Sequence, residues 1–404
     1  MRRVLEKWNQ LNLVIRIVIG IVIGLILALT IPETVSGISI LGDLFVGALK
    51  AVAPILVFLL VINALASHKG GQASNMRYVI GLYFAATFLA GFVAVLVSYI
   101  FPTELTLKMS SVEIAPPSGI TEVLKTLAFN IVSNPVTAIM EANYIGILTW
   151  AVLFGIALRA ASDSTKSVLA SFADGITKIV QWIINLAPIG VMGIVFDTVS
   201  TIGLSALNEY KQLIIILVLT MFFVALVVNP LLVYIVARRN PYPLVLRTLR
   251  ESGITAFFTR SSAANIPVNM ALAEKLKLDK NTYSTSIPLG ATINMGGAAI
   301  TISILTMAAA HTLDIKVDLI TAVILMVLSA ISAAGASGVA GGSLLLIPLA
   351  CSLLGISDDI AMQVVAIGFI IGVIQDSCET ALNSSSDVVF TAAAQYAVER
   401  KNKR

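Results

Sequence analysis

The sequence predicts an all-α polytopic membrane protein, and two observations support this class. Of the 404 residues, 58% are hydrophobic and only 12% are charged, whereas a soluble domain usually carries about 25% charged residues. Several stretches of about 20 residues are almost wholly apolar, which is the length that a helix needs to cross a bilayer. The charge balance, 26 Lys and Arg against 22 Asp and Glu, is too small for a nucleic-acid-binding surface.

Eight apolar stretches qualify as full membrane spans, and the basic residues around them predict their orientation. The spans, numbered one to eight, are residues 12–32, 41–66, 78–101, 142–161, 168–200, 212–237, 283–310 and 360–395. The first span is too long for a signal peptide and is not followed by a small-residue cleavage site. Lys and Arg concentrate at both ends of the chain and in alternate loops, as they do on the cytoplasmic side of membrane proteins. We therefore expect both termini in the cytoplasm.

Two further segments do not fit as simple spans. Both flanks of 243–275 carry cytoplasmic charges, and 319–356 runs between two outer loops. Their centres, 259–267 and 334–343, are rich in polar or small residues. A chain that enters and leaves on one side must turn inside the membrane, where non-helical backbone is tolerated only if buried in protein or lining a wet cavity. We predict two re-entrant helical hairpins in inverted repeats, the arrangement that surrounds transporter binding sites. The alternative is that small residues only allow close helix packing.

Span eight carries a polar stripe on one face. At about 100° per residue, five polar side chains fall within an arc of about 100°. They are Asp376, Glu379, Thr380, Asn383 and Asp387. A charge at mid-bilayer costs about 2.5–3.5 kcal/mol, so the three carboxylates need cations. Arg260, at the centre of the first hairpin, is expected to pair with Glu379, which leaves Asp376 and Asp387 for a metal ion or a substrate ammonium. A structural network of buried ion pairs is the alternative.

Span seven is interrupted at Asn294-Met295-Gly296-Gly297. Glycines at such a break free backbone carbonyl oxygens, which are hard ligands that suit a small cation. The sequence therefore places possible cation ligands on a second interrupted segment of the chain.

These motifs resemble the dicarboxylate/amino-acid:cation symporter family, the glutamate-transporter homologues. The similarity rests on the serine-rich tip from Arg260 to Met270, the Asn-Met-x-Gly break and the Asp-x-x-x-Thr-x-x-Asn-x-x-x-Asp pattern of span eight, and the topology covers the whole chain. The tip and Gln375-Asp376-Ser377-Cys378-Glu379-Thr380 are most similar to the bacterial serine/threonine:sodium branch. The resemblance implies a bacterial cell-membrane homotrimer that is a secondary active transporter rather than an enzyme, with sodium as coupling ion and no cofactor.

The resemblance also implies two domains that move past each other as an elevator. The scaffold would comprise 1–76, with spans one and two, and 103–210, with spans four and five. The transport domain would comprise 77–102, with span three, and 211–404, with span six, both hairpins and spans seven and eight.

Residue roles follow from positions that match the family's motifs. Substrate-binding residues would be Ser261, Ser262, Val339, Asp376, Glu379, Thr380 and Asn383. One sodium site would be formed by Gly290, Asn294, Asn383 and Asp387. A second sodium site would be formed by Thr292, Met295, Ala333 and Ala336. Asp376 would hold the substrate ammonium, and the amide of Asn383 would favour its α-carboxylate.

Departures from the family pattern bear on the cargo. Glu379 stands where members with acidic substrates have an Arg, and Ala298 stands where they have a Thr. Like charges placed together cost several kcal/mol, so Glu379 favours a small neutral hydroxy amino acid, L-serine or L-threonine. Gly296 replaces an Asp, and Ala85 and Ala86 replace hydroxyl residues. We therefore expect a third sodium site of the family to be absent.

Three other functions were weighed. An acidic amino-acid or dicarboxylate symporter is the nearest alternative. An intramembrane hydrolase is disfavoured because no His lies near Ser261 or Asp376 and no nucleophile elbow is present. A passive channel is disfavoured because channels line their pores with repeated rings of groups, whereas these motifs form one asymmetric constellation.

Overall fold

The computed structural model of the chain is almost entirely helical. It describes residues 11, 13–33, 35–66, 76–107, 125, 128–203, 205–334 and 341–402. None of these residues lies in a β-strand, and six of their helices are long and apolar enough to cross a membrane. The six are Ser36–Ala66, Met76–Ile100, Asp163–Asn185, Tyr210–Ala237, Lys280–Thr312 and Asp358–Lys401. The all-α polytopic class predicted from composition is therefore confirmed.

The first four predicted spans correspond to four helices, and a fifth, short helix lies just before span four. They are α1 (Leu13–Thr30), α2 (Ser39–Ala66), α3 (Met76–Ile100), the short α4 (Pro135–Met140) and α5 (Tyr144–Ala157). The packing of α1 depends on two glycines. A side chain at Gly20 or Gly24 would overlap the backbone carbonyls of Pro188 and Met192, so the small residues bring two helix backbones into direct contact.

Span five was predicted as one helix over 168–200, and this prediction is wrong. The structure divides the segment into α6 (Asp163–Asn185) and α7 (Ala187–Ile202), with the break at Leu186. Pro188 explains the break. Proline lacks an N–H and fits best in the first turn of a helix, where that donor would be unpaired in any case.

Span six is continuous but locally widened. It consists of α8 (Ser205–Phe223), a π-helical turn (Val224–Val228) and α9 (Asn229–Ala237). Pro230, at the start of α9, has no N–H for the helical ladder. The missing donor accounts for the local change in hydrogen-bond register.

The first hairpin, residues 242–275, turns at Arg260 and Ser261. Its first limb contains α10 (Tyr242–Thr248), a π-helical turn (Leu249–Gly253) and α11 (Ile254–Thr259), and its second limb is α12 (Ser262–Lys275). Arg260 takes a left-handed conformation, with φ of 51°. Ser261 then caps α12 by accepting a hydrogen bond from the N–H of Ala264 at 3.2 Å. The turn lies within residues 259–267, the predicted centre of the hairpin. Pro267, the last residue of that centre, lies inside α12 instead of in the turn.

Span seven breaks where the glycines predict. Helix α13 (Lys280–Ile293) ends before Asn294, and α14 (Gly296–Thr312) begins after Met295. The segment predicted to form the second hairpin contains α15 (Leu319–Ala333), a 3-10 turn (Ser343–Leu346) and α16 (Ile347–Leu353), and residues 335–340 of its predicted centre lie outside the described residues. Asp318 caps α15 through the N–H groups of Ile320 and Thr321.

Span eight is one helix, α17 (Asp358–Asn402), of 45 residues. At 1.5 Å per residue its length is about 67 Å, roughly twice the hydrocarbon thickness of a bilayer. It packs against α3, α8, α9, α11, α12, α13 and α14. The polar stripe of this helix therefore lies at the centre of a helical cluster rather than on its surface.

Candidate functional site

The five polar side chains of the α17 stripe are all buried. Their exposed fractions are 3% for Asp376, 6% for Glu379, 6% for Thr380, 3% for Asn383 and 0% for Asp387. The helical periodicity predicts a shared face, and the structure brings this face against the first hairpin, the second hairpin and the break in span seven. Each polar group must find a partner there, because burying an unpartnered polar group is costly.

Asp376 joins the two hairpins. Its Oδ2 accepts a hydrogen bond from Nε of Arg260 at 2.6 Å, in a salt bridge that is almost fully buried. Its Oδ1 accepts one from the N–H of Gly341, at the start of the returning limb of the second hairpin, at 3.2 Å. Both hairpins therefore meet at one carboxylate.

The predicted ion pair between Arg260 and Glu379 is wrong. The guanidinium pairs with Asp376, three residues earlier on α17, and Glu379 takes neutral donors instead. The physical reason is the register between the hairpin turn and α17, which determines which carboxylate lies within reach of Arg260. Helical periodicity gives the face of a residue but not this tertiary register.

Glu379 is enclosed by donors from three elements. Its Oε2 accepts hydrogen bonds from the Thr301 hydroxyl at 2.7 Å, the Ser343 hydroxyl at 2.9 Å and the Gln375 amide at 2.6 Å. These residues lie on α14, the second hairpin and α17. The start of α14 also lies directly against Glu379, since a Cβ at Gly297 would come within 2.9 Å of the Glu379 Cα.

Asn383 and Thr380 connect the stripe to the break in span seven and to the helix backbone. The Asn383 Oδ1 accepts a hydrogen bond from the N–H of Gly297 at 2.7 Å, and its Nδ2 donates to the Met295 sulfur at 3.4 Å. The Thr380 hydroxyl donates to the carbonyl of Asp376 at 2.8 Å. Asn383 thus contacts the break that the sequence assigns to cation binding.

Asp387 and Asn294 form the most deeply buried part of the site. The Asn294 amide donates to Oδ1 of Asp387 at 2.8 Å, to the Ser386 hydroxyl at 2.7 Å and to the carbonyl of Asn383 at 3.3 Å. A Cβ at Gly290 would lie 2.5 Å from Oδ1 of Asp387, so only glycine allows this approach. The Asp387 Oδ2 is buried without a partner among the described residues.

This arrangement fits a small hard cation. Asp387 supplies a carboxylate oxygen that no described residue satisfies, and its other oxygen shares the Asn294 amide with the carbonyl oxygen of Asn383 on α17. Hard alkali and alkaline-earth cations prefer such oxygen ligands. Within the described part of the chain, no group of three His, Cys, Asp or Glu side chains is arranged to hold a metal ion, so the carboxylate and carbonyl oxygens are the relevant donors.

The remaining predicted residues are those of the second sodium site and Val339, and the structure describes only some of them. Thr292 is exposed, and its hydroxyl donates to the carbonyl of Leu289 at 2.7 Å. Met295 and Ala333 are buried. Val339 and Ala336 lie outside the described residues.

The tip of the first hairpin presents a helix N-terminus to the site. Ser261 caps α12, and Ser262, its first residue, is 3% exposed. The first turn of a helix carries unpaired backbone N–H groups and the positive end of the helix dipole. The tip can therefore bind a carboxylate without a further basic side chain.

Sequence reasoning missed several polar partners. Thr301, Ser343 and Gln375 enclose Glu379, and Asn265 and Asn269 of the first hairpin donate to Ser384 on α17 at 2.8 and 3.1 Å from their Nδ2 atoms to its hydroxyl. Gln375 lies four residues before Glu379, a spacing at which helical side chains meet, so periodicity offered a signal. The other partners come from separate helices, which local spacing does not reveal.

Known proteins are similar in sequence to this chain over nearly its whole length. The chain matches the model of the sodium:dicarboxylate symporter family over residues 13–396. It is 60% identical to the "Serine/threonine transporter SstT" of Streptococcus agalactiae serotype III over 399 residues, which are 98% of this chain and 99% of the relative. The identity and coverage are the same for the protein of that name in serotypes Ia and V. The chain therefore belongs to the sodium:dicarboxylate symporter family.

Proposed function

We propose that the protein is a sodium-coupled symporter that imports L-serine and L-threonine across the bacterial cytoplasmic membrane by alternating access. The observation that carries this proposal is the buried, donor-enclosed carboxylate of Glu379 beside Asp376 on the α17 stripe. It supplies a negative acceptor for a hydroxyl where an acidic substrate would meet repulsion. Relatives that are 60% identical over nearly the whole chain are named serine/threonine transporters.

A zwitterionic amino acid fits the polar groups of the site. Asp376 accepts the ammonium on the carboxylate that Arg260 also contacts, through Oδ2. The α-carboxylate lies at the N-terminus of α12 near Ser261 and Ser262, with Asn383 as a further donor. Thr380 contributes its hydroxyl, and Glu379 accepts the hydroxyl of the substrate side chain. The tip of the second hairpin, with Val339, closes the pocket.

Sodium binds at two places in this proposal. One is the buried site of Asp387, Asn294, Gly290 and the carbonyl of Asn383, where Oδ2 of Asp387 lacks a described protein partner. The second is formed under the outer hairpin by Thr292, Met295, Ala333 and Ala336. One charge that moves through 100 mV contributes about 2.3 kcal/mol, so even one sodium ion per cycle supports accumulation.

The architecture of the proposal is eight full spans with two re-entrant hairpins in inverted repeats. Helices assigned to the scaffold pack on one another, since α2 contacts α5, α6 and α7, and α1 contacts α7. Helices assigned to the transport domain surround α17 in the same way. This grouping supports an elevator-type movement of residues 77–102 and 211–404 against 1–76 and 103–210, within a homotrimer whose termini are cytoplasmic.

Uptake by proteoliposomes tests the proposal. The purified protein is reconstituted, and labelled serine is offered with an inward sodium gradient or with an equal choline gradient. We expect accumulation only with sodium, and competition by excess unlabelled serine or threonine but not by aspartate. Accumulation without sodium would reject the coupling, and stronger competition by aspartate would reject the role of Glu379.

A further inference from the structure

Glu379 receives all of its described hydrogen bonds on one oxygen. Thr301, Ser343 and Gln375 donate to Oε2 at 2.7, 2.9 and 2.6 Å. No described residue donates a hydrogen bond to Oε1. The two oxygens of this carboxylate are therefore in different environments, although the residue as a whole is only 6% exposed.

Each hydrogen of the three donors around Glu379 can be assigned to an acceptor. The Gln375 amide has two hydrogens, and its Nε2 lies 2.7 Å from the Thr301 hydroxyl and 2.6 Å from Oε2 of Glu379. Thr301 accepts the first of these and gives its own hydrogen to Oε2, which is nearer than the carbonyl of Gly297 at 3.1 Å. Ser343 gives its hydrogen to Oε2 as well. All three donors converge on Oε2, so the hydrogen-bonding capacity of that oxygen is used.

The orientation of the Gln375 amide is fixed by the same contacts. If its oxygen and nitrogen were exchanged, Oε1 of Gln375 would lie against Oε2 of Glu379, and two acceptors would repel each other. In the observed orientation this Gln375 oxygen is buried without a described partner. An unsatisfied buried acceptor destabilises the fold, so the two hydrogen bonds of the Gln375 amide nitrogen must offset that cost.

We propose that Gln375, Thr301 and Ser343 are positioning residues that give the transporter its specificity for hydroxyl-bearing amino acids. They hold Oε2 of Glu379 and leave Oε1 as the acceptor for the substrate hydroxyl. This inference rests on the proposed function and deepens it. It assigns the discrimination between serine and alanine, which differ by that hydroxyl, to a network of three elements rather than to Glu379 alone.

Ser343 connects the network to the second hairpin. The same returning limb donates from the N–H of Gly341 to Asp376 at 3.2 Å and from the Ser343 hydroxyl to Glu379 at 2.9 Å. Glu379 therefore has all three of these hydrogen bonds only when the limb that carries Ser343 packs against α17.

Competition uptake separates positioning from simple structural support. Proteoliposomes take up labelled serine with an inward sodium gradient, and unlabelled serine or alanine competes. The ratio of the two half-inhibitory concentrations gives the preference for serine. In Gln375→Leu, Thr301→Val and Ser343→Ala we expect this preference to fall about tenfold, because each change removes a hydrogen bond to a charged group. The half-inhibitory concentration of alanine should stay unchanged, and Thr301→Ser should retain the wild-type preference.

A matched control exists on the same helix. Gln395 donates from Nε2 to Oε1 of Glu399 at 3.0 Å, with the same four-residue spacing, outside the site. Gln395→Leu should leave the preference for serine unchanged. A parallel rise in the half-inhibitory concentrations of serine and alanine, or an unchanged preference in the Thr301 and Ser343 variants, would overturn the inference. Failure of the proposed function is distinguishable, because wild-type protein would then show no sodium-driven serine uptake.

Discussion

Asp387→Asn should weaken sodium coupling far more than substrate selectivity. Asp387 is completely buried, one of its carboxylate oxygens accepts from Asn294 at 2.8 Å, and the other has no described partner. The substitution keeps the size of the side chain and one oxygen ligand but removes the negative charge. A sodium ion at this position would therefore lose its main electrostatic partner.

The size of the effect follows from Coulomb's law. Two unit charges 4 Å apart interact with about 4 kcal/mol at an effective dielectric constant of 20. Up to about half of this attraction is offset, because burying the unpaired carboxylate of the wild type costs desolvation energy. A loss of about 2–4 kcal/mol corresponds to a rise of about 30- to 700-fold in the sodium concentration needed for half-maximal uptake.

Sodium titration of serine uptake in proteoliposomes measures this quantity. The control is Asp174→Asn, since Asp174 is an exposed carboxylate on α6, away from the site. We expect the control to match wild type, and the ratio of serine to alanine inhibition to stay unchanged in Asp387→Asn. An identical sodium titration in Asp387→Asn and wild type would refute the assignment of this carboxylate to sodium.

Three further substitutions test other contacts. Arg260→Met leaves a buried carboxylate unpaired, which typically costs about 3–5 kcal/mol, so we expect serine uptake to fall at least about tenfold while Arg260→Lys retains part of it. Gly297→Ala places a Cβ 2.9 Å from the Cα of Glu379 and should lower the melting temperature in detergent by the equivalent of about 1–3 kcal/mol. Gly175→Ala, which has open space around it, is its control and should not lower it. Asp318→Ala removes the cap of α15 and should cost about 1 kcal/mol in the same assay. An unchanged melting temperature in either variant, or unchanged uptake for Arg260→Met, would contradict the corresponding contact.

Periodicity and composition predicted the helices and the polar face of α17 but not the contacts between elements. The break at Asn294 and Met295 was predictable because glycines follow it directly in the sequence. The division of span five was missed because the apolar run continues through Pro188, and a proline also lies inside an unbroken helix of this chain, as Pro267 does in α12. Spacing along one helix gives no information on register against another. The partner of Arg260 and the donors Thr301 and Ser343 therefore became visible only in the structure.

Charge balance in the site gives a physical reason for coupling serine to sodium. When Asp376, Glu379 and Asp387 are all ionised, they carry three negative charges against the one positive charge of Arg260 among the described residues that meet at the α17 stripe. A zwitterionic serine adds no net charge, so the amino acid alone leaves a net charge of −2 in a buried environment. Such a domain would move through the membrane at high electrostatic cost, and each sodium ion lowers that cost. The same balance disfavours an acidic substrate, which would raise the negative charge further, and so relates ion coupling and neutral-substrate specificity to the same carboxylates.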